Sequence, residues 1–450
     1  MKDIYEAIDR GKEKFIAELK DLLRLPSVSY TGEGIPRCAE HLCRWLQGWG
    51  VSARVVPTQG HPVVLGKVEP PGAKRRVIVY GHYDVKQVGD LAEWKSPPYE
   101  PAERDGAIYA RGAADDKGQL LANAIAVRLL KEMGRLPAAV TFVFEGEEEV
   151  GCKSFQAFAE AHREELRADL YYASDGPRHI SGRPTVRLGN RGNLCMRLVV
   201  RNEIGADVHS GNLGELVRNP AWDLVHLLHT MKDPEGEALI PGFYDEVAPP
   251  TELERRALAD IPGDEAEICR KLGISRIYGP PRFTVNEKLF FRPTLTIEGF
   301  HCGMESTIIP GQAMCYLECR LVKDMTPEGT FEKIKRHVEA QQVPGAALTL
   351  TRSSQANKTP LDHPTVQPVL DAFRRMHAEG ALDGPLLVMP ISGGSNASTQ
   401  VFTQYLGLPA ITTNYAQPNN GQHGPNENIR IDHFMTGIKM GAAALTALKG

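Results

Sequence analysis

Three short runs constrain this chain more than any other feature. Residues 77–80 (Val-Ile-Val-Tyr), 140–144 (Val-Thr-Phe-Val-Phe) and 170–173 (Leu-Tyr-Tyr-Ala) are apolar or aromatic almost throughout. That texture belongs to strands buried on both faces. Residues 118–133 and 154–162, which separate the runs, carry Leu, Ala and Phe at helical spacing. Strands alternating with helices in this way imply an α/β fold, a mixed but largely parallel sheet with helices on both faces. Such sheets bind ligands beyond the carboxyl ends of their strands. The chemically loaded residues fall there: His82 and Asp84 after the first run, Glu147, Glu148 and Glu149 after the second, Asp175 after the third.

The flanking segments extend this pattern. Apolar spacing predicts one helix over 4–23, ending before Pro26, and another over 39–49, closed by Gly50. Short apolar runs at 51–56 and 63–68 add strands. After Arg187 the texture changes. Strands are expected at 194–200, 295–298, 314–321 and 347–351, and helices at 213–231 (interrupted near Pro220), 327–340 and 364–379. A long, irregular, Pro-rich stretch fills about 235–293. The α/β texture returns with a strand at 409–413 and a helix at 432–448. We therefore expect one domain built from 1–189 and 388–450, interrupted by an inserted α+β domain at 190–387.

Charge excludes some classes of function. With 52 basic against 56 acidic residues and a net charge of -4, nothing pulls the chain toward nucleic acid. The basic run Lys74, Arg75, Arg76 reads as a solvated strand edge. Charges stand near the N-terminus where a signal peptide has its apolar core, and no apolar stretch reaches the roughly 18 residues of a membrane span. The expectation is a cytoplasmic protein with no membrane partner. The 8 cysteines are scattered and form no Cys-x-x-Cys pair, so free thiols are expected, with Cys315 and Cys319 on one face of a strand packed in a core.

Four clusters carry chemistry. In His82-Tyr-Asp84 the imidazole can bind a metal through one nitrogen while the carboxylate holds the other. In Arg-Gly-Ala-Ala-Asp-Asp-Lys-Gly at 111–118, Asp115 and Asp116 open a helix; a simple acidic cap is the plainer reading. The carboxylates of Glu-Gly-Glu-Glu-Glu-Val-Gly at 145–151 repel one another unless solvent or a cation relieves them. One of them on a metal and its neighbour poised as a base would use that crowding. Asp175 lies in an Asp-Gly turn, and His423 in the polar loop Asn-Gly-Gln-His-Gly-Pro-Asn at 420–426. Together the combination His, Asp, Glu, Asp, His, with a spare Glu, forms a set suited to two divalent ions sharing a carboxylate.

In these motifs the chain resembles the M20 metallopeptidases, a family that includes carnosinase-like dipeptidases, aminoacylases, glutamate carboxypeptidases and related deacylases. The likeness rests on Gly-His-Tyr-Asp at 81–84, Gly-Ala-Ala-Asp-Asp-Lys-Gly at 112–118, Glu-Glu-Val-Gly at 148–151, Asp175 and His423, in that order. Length and the large insert resemble the dipeptidase branch. The resemblance implies a zinc-hydrolase-like catalytic domain with an inserted lid or dimerisation domain, working as a homodimer. His82 and Asp175 would bind one metal ion, Glu149 and His423 the other, with Asp115 bridging. Zinc is the expected ion; manganese and cobalt suit the same ligands. Asp84 would orient His82, and Glu148 would be the general base acting on a water between the metals. A cis peptide is expected after the bridging acid, at Asp115–Asp116. Glu147 is left without a role and is read as exposed. His209 would steady the oxyanion in a partner subunit, while Arg320 and Ser392, Gly393, Gly394 and Ser395 would hold a substrate carboxylate. The expected substrate is a dipeptide with a free C-terminal carboxylate. N-acyl amino acid deacylation and carboxypeptidase activity are the enzymatic alternatives, and a catalytically inactive binding protein the non-enzymatic one.

Overall fold

The strand Arg76–His82 lies inside an eight-stranded sheet whose order is Ser52–Val56, Val63–Val68, Ala139–Glu145, Arg76–His82, Leu170–Ala173, Ala410–Asn414, Thr185–Arg187, Leu387–Met389. Four of its seven pairings are parallel, including both made by Arg76–His82. The residues of this strand alternate between two covered faces. Ile78 and Tyr80 join a core with Val143, Phe155, Phe158, Tyr171 and Phe402. On the other face lies the helix Lys117–Glu132, so close that a Cβ on Gly81 would lie 2.7 Å from Leu120 Cβ. The C-terminal helix Ile431–Ala447 packs on that helix in turn. Burial on both faces is why these strands carry almost no polar residues.

This sheet belongs to the first of two compact units in the computed structural model, which describes residues 1–394 and 396–449. The unit comprises Met1–Leu188, Thr359–Pro390 and Asn396–Gly450. The second comprises Gly189–Lys358 and Ile391–Ser395. Its four-stranded sheet, ordered Thr296–Cys302, Gln312–Leu321, Gly192–Arg201, Ala346–Ser354, is antiparallel throughout. Leu194, Met196, Leu198, Cys315, Leu317 and Cys319 line one face, which the helices Pro220–His229 and Pro327–Ala340 cover. All eight cysteines are free, and Cys315 and Cys319 sit in this core.

Three expectations need correction. The first helix is two, Lys2–Arg10 and Lys12–Leu23, divided at Gly11, where the Phe15 ring occupies the space a Cβ would need (2.3 Å). The inserted segment ends at Lys358 rather than 387 and returns briefly at 391–395. The helix Val366–Ala378 packs against Ile431–Ala447, burying Val366, Val369, Leu370 and Phe373 in the first unit. An amphipathic helix looks the same in sequence whichever core it faces. The Pro-rich stretch holds three helices, Glu252–Asp260, Glu265–Leu272 and Val285–Phe290. Two of them start in capping boxes, Thr251 with Glu254 and Thr284 with Glu287. Among the described residues, no helix is long and apolar enough to cross a membrane.

Candidate metal centre

The sheet ladder carries His82 to its C-terminal edge, where the pairing with Ala139–Glu145 ends at His82 and Glu145. The imidazole is fully buried. Its Nδ1 lies 3.1 Å from the Asp84 carbonyl oxygen and 3.4 Å from Asp84 Oδ1. That leaves Nε2 facing Asp115 Oδ1 at 3.1 Å and Asp175 Oδ1 at 4.0 Å. Asp84 also accepts from the backbone N–H groups of Glu148 (3.2 Å) and Glu149 (3.1 Å), so one buried carboxylate sets both the ring and the acidic turn.

Asp115 stands before the helix Lys117–Glu132 and is joined to Asp116 by a cis peptide bond. Gly118 lets this turn close, since a Cβ there would lie 2.1 Å from the Ala113 carbonyl oxygen. The two oxygens of Asp115 face different histidines: Oδ1 meets His82, and Oδ2 lies 3.0 Å from His423 Nε2. His423 comes from the loop after Ala410–Asn414 with φ +63, and its Nε2 is also 3.3 Å from Glu149 Oε2. Two groups result, His82–Asp115–Asp175 and Asp115–Glu149–His423, with candidate donor atoms in each within 4.8 Å of one another. Asp115 is common to both.

The electrostatics fit divalent cations. Burial pushes Glu148 well above the ordinary carboxylate range; His82 opposes this, and Asp175, Glu149 and Asp115 reinforce it. Burial, then Asp115, pushes Asp175 up to about 6. Hydrogen bonds to Asp115 and Glu149 drive His423 up to about 10. Burial would lower His82, yet its bonds to Asp115 and Asp84 hold it well above its usual value. Protons on the imidazoles thus balance the acids. Divalent cations would take over that balance and leave neutral imidazoles and ionised carboxylates, the forms that ligate metal.

Several supporting groups escaped the sequence pattern. Asn396 Nδ2 donates to Asp175 Oδ2 at 3.0 Å, and Asn414 to the Asp175 carbonyl. Lys86 Nζ lies 3.1 Å from Glu149 Oε2. Glu427 is fully buried behind the Asp115 turn. An acid four residues beyond His423 was the one signal available for it. Glu147, read as exposed, is 7% exposed; its Oε2 accepts from Ser154 N (3.0 Å) at the start of Phe155–Ala161.

The remaining candidates belong to the second unit, apart from Ser395, which lies outside the described residues. His209 is exposed on a two-residue strand paired with Ile308–Ile309, and its Nδ1 accepts from Gly211 N at 3.1 Å. Arg320 pairs with Glu318 at 2.7 Å. Ser392 is buried and donates to Asn190 Oδ1 at 2.9 Å, while Gly393 and Gly394 are exposed.

Histidines and acids converging at the C-terminal edge of a largely parallel sheet form a candidate metal centre. The model of peptidase family M20/M25/M40 matches residues 78–447, and the chain belongs to that family of metallopeptidases. It is 27% identical to the Beta-Ala-His dipeptidase of Rattus norvegicus over 98% of this chain and 94% of that protein. It is also 27% identical to the Cys-Gly metallodipeptidase dug1 of Schizosaccharomyces pombe, over 97% and 96%. Among solved structures, an M20 family metallo-carboxypeptidase, Sso-CP2 of Sulfolobus solfataricus, superposes with a TM-score of 0.82 at 32% identity, covering 96% of this chain and 98% of that one.

Proposed function

We propose that the protein is a two-metal dipeptidase that cleaves the amide bond beside a free C-terminal carboxylate. The observation carrying this reading is Asp115, whose two oxygens face His82 and His423 and so join two ligand groups into one centre. His82 and Asp175 would hold one ion, Glu149 and His423 the other, and Asp115 both. Zinc suits the set, as do manganese and cobalt. Bound ions supply Lewis acidity toward the scissile carbonyl and lower the pKa of a water held with them.

The chain's own residues do the rest. Asp84 fixes the ring of His82 so that Nε2 points into the centre. Glu148, placed next to a ligand by Asp84, takes a proton from the attacking water and returns it to the leaving amine. His209 steadies the developing oxyanion of a partner subunit. Arg320, with the backbone of 392–395, binds the substrate carboxylate, a match for a guanidinium fork. Exposed Leu216, Trp222 and Val225 leave apolar surface in the second unit for another copy to cover, which supports a homodimer.

The dipeptidase names of the rat and fission-yeast relatives, which match over nearly the whole chain, support the substrate class. The Sulfolobus relative named as a carboxypeptidase favours peptide trimming as a second reading. Retention of every ligand and of Glu148 argues against an inactive binding protein. The test is turnover of Ala-Leu, N-acetyl-leucine and an N-blocked Ala-Ala-Leu by enzyme stripped of metal and resupplied with zinc, manganese or cobalt. Ala-Leu should be cut fastest, and only after resupply. Preference for N-acetyl-leucine would make the protein a deacylase, and preference for the blocked peptide a carboxypeptidase. Turnover without metal would overturn the two-ion reading.

A further inference from the structure

Glu427 is fully buried, and its carboxylate accepts four hydrogen bonds. Oε2 receives them from Arg111 Nη1 (2.7 Å) and Gly112 N (2.9 Å); Oε1 receives them from Ala114 N (2.9 Å) and Asp115 N (3.0 Å). Three of the donors are backbone amides of the turn that ends in Asp115, so this carboxylate fixes the path of the residue shared by both ligand groups. Arg111 extends the connection. Its side chain is 2% exposed, and Nη2 donates to Gly424 O at 3.0 Å and Gln87 O at 3.1 Å. Gly424 follows His423 directly. The guanidinium therefore grips the loop of one ligand while Glu427 grips the turn of another.

The backbone secures the same junction. Ala110 N donates to the Glu427 carbonyl at 3.0 Å, and the strand Asn428–Arg430 pairs with Ala107–Tyr109. His82, by contrast, is carried on a strand of the main sheet, and Asp175 stands two residues beyond another. Among the described residues, Asp115 and His423 stand farther from any main-sheet strand along the chain than His82 and Asp175 do. A buried ion pair is costly to desolvate and is poor evidence for stability alone. Its four-donor geometry at this place calls for a positional role, since groups behind metal ligands control ligand orientation and affinity.

We propose that Glu427 and Arg111 form a positioning pair that sets the spacing of Asp115 and His423, and thereby the cation affinity of the Asp115–Glu149–His423 group. The inference rests on the two-ion reading. The test follows uptake of Co²⁺ by metal-stripped enzyme, using calorimetry and visible absorption, for the wild type, Glu427→Gln and Arg111→Lys. The wild type should bind two ions. In each variant one binding step should weaken by about 10- to 100-fold and the other by clearly less, because the first group contains both displaced ligands and the second only Asp115. kcat should fall with KM for Ala-Leu nearly unchanged. Arg111→Lys keeps the buried charge and serves if Glu427→Gln does not fold. Equal weakening of both steps, or a lower Tm with unaltered Co²⁺ binding, would overturn the positioning role and leave the two-ion reading standing. Fewer than two ions in the wild type would overturn both.

Discussion

Around the acid–histidine cluster of the first unit, three glycines leave no room for a methyl group. A Cβ on Gly81, Gly112 or Gly118 would stand 2.7, 2.8 or 2.1 Å from Leu120, Val85 or Ala113. In the second unit, Gly393 and Gly394 have no atom of the described residues within 4 Å of the same position, their chain neighbours aside. The side chains differ likewise. His82 and Asp84 are fully buried and held by several partners, whereas His209 is exposed and its ring accepts a hydrogen bond from Gly211 N. Metal ligands must be pre-placed, because the ion tolerates little error in direction or distance. Groups that meet a substrate can stay open and partly solvated until it arrives. The contrast teaches that one unit holds a built site and the other a set of available groups.

The sharpest way to break this contrast is Glu148→Gln. Turnover of Ala-Leu should fall by roughly 10²- to 10⁴-fold, with Co²⁺ uptake and Tm close to wild type. Activity retained in this variant would show that the built site does not use Glu148 to move protons.

A smaller effect is expected in the second unit. Arg320→Lys removes a planar fork but keeps the charge, and a charged hydrogen bond contributes about 1.5–3 kcal/mol, so kcat/KM for Ala-Leu should drop roughly 10- to 150-fold. Metal binding should be unaffected. If the Glu318 pair is all that Arg320 serves, the variant will lose Tm instead, with kcat/KM intact.

The glycines test the contrast most gently. Gly118→Ala should cost about 1–3 kcal/mol of stability and loosen Co²⁺ binding, because the new methyl meets backbone that cannot move aside. Gly393→Ala should change stability by no more than about 0.5 kcal/mol. Equal Tm losses measured by thermal melts would show that the two regions are packed alike.

Much of this architecture was legible in the chain. The runs at 77–80, 140–144 and 170–173 became central strands because a strand buried on both faces has almost no polar positions to disguise it. The family resemblance named the residues that converge, since each sits inside a short local motif. Local motifs failed where two distant segments had to be compared. The helix Val366–Ala378 could not be assigned to its core, because its apolar stripe does not say which neighbour covers it. The helices at 252–290 stand among prolines that mask their periodicity, and the Thr-x-x-Glu boxes of two of them are a short-range sign of where they begin.

Sequence thus decided the α/β class, the residue types of the centre and their order along the chain, since these depend on periodicity and on chemistry within a few residues. Only the tertiary structure decided that Asp115 shows one oxygen to His82 and the other to His423, residues 341 positions apart in the chain, and that Glu427 and Arg111 tie their loops. Those distances arise from packing and hydrogen bonds between segments remote in sequence, and no local pattern encodes them.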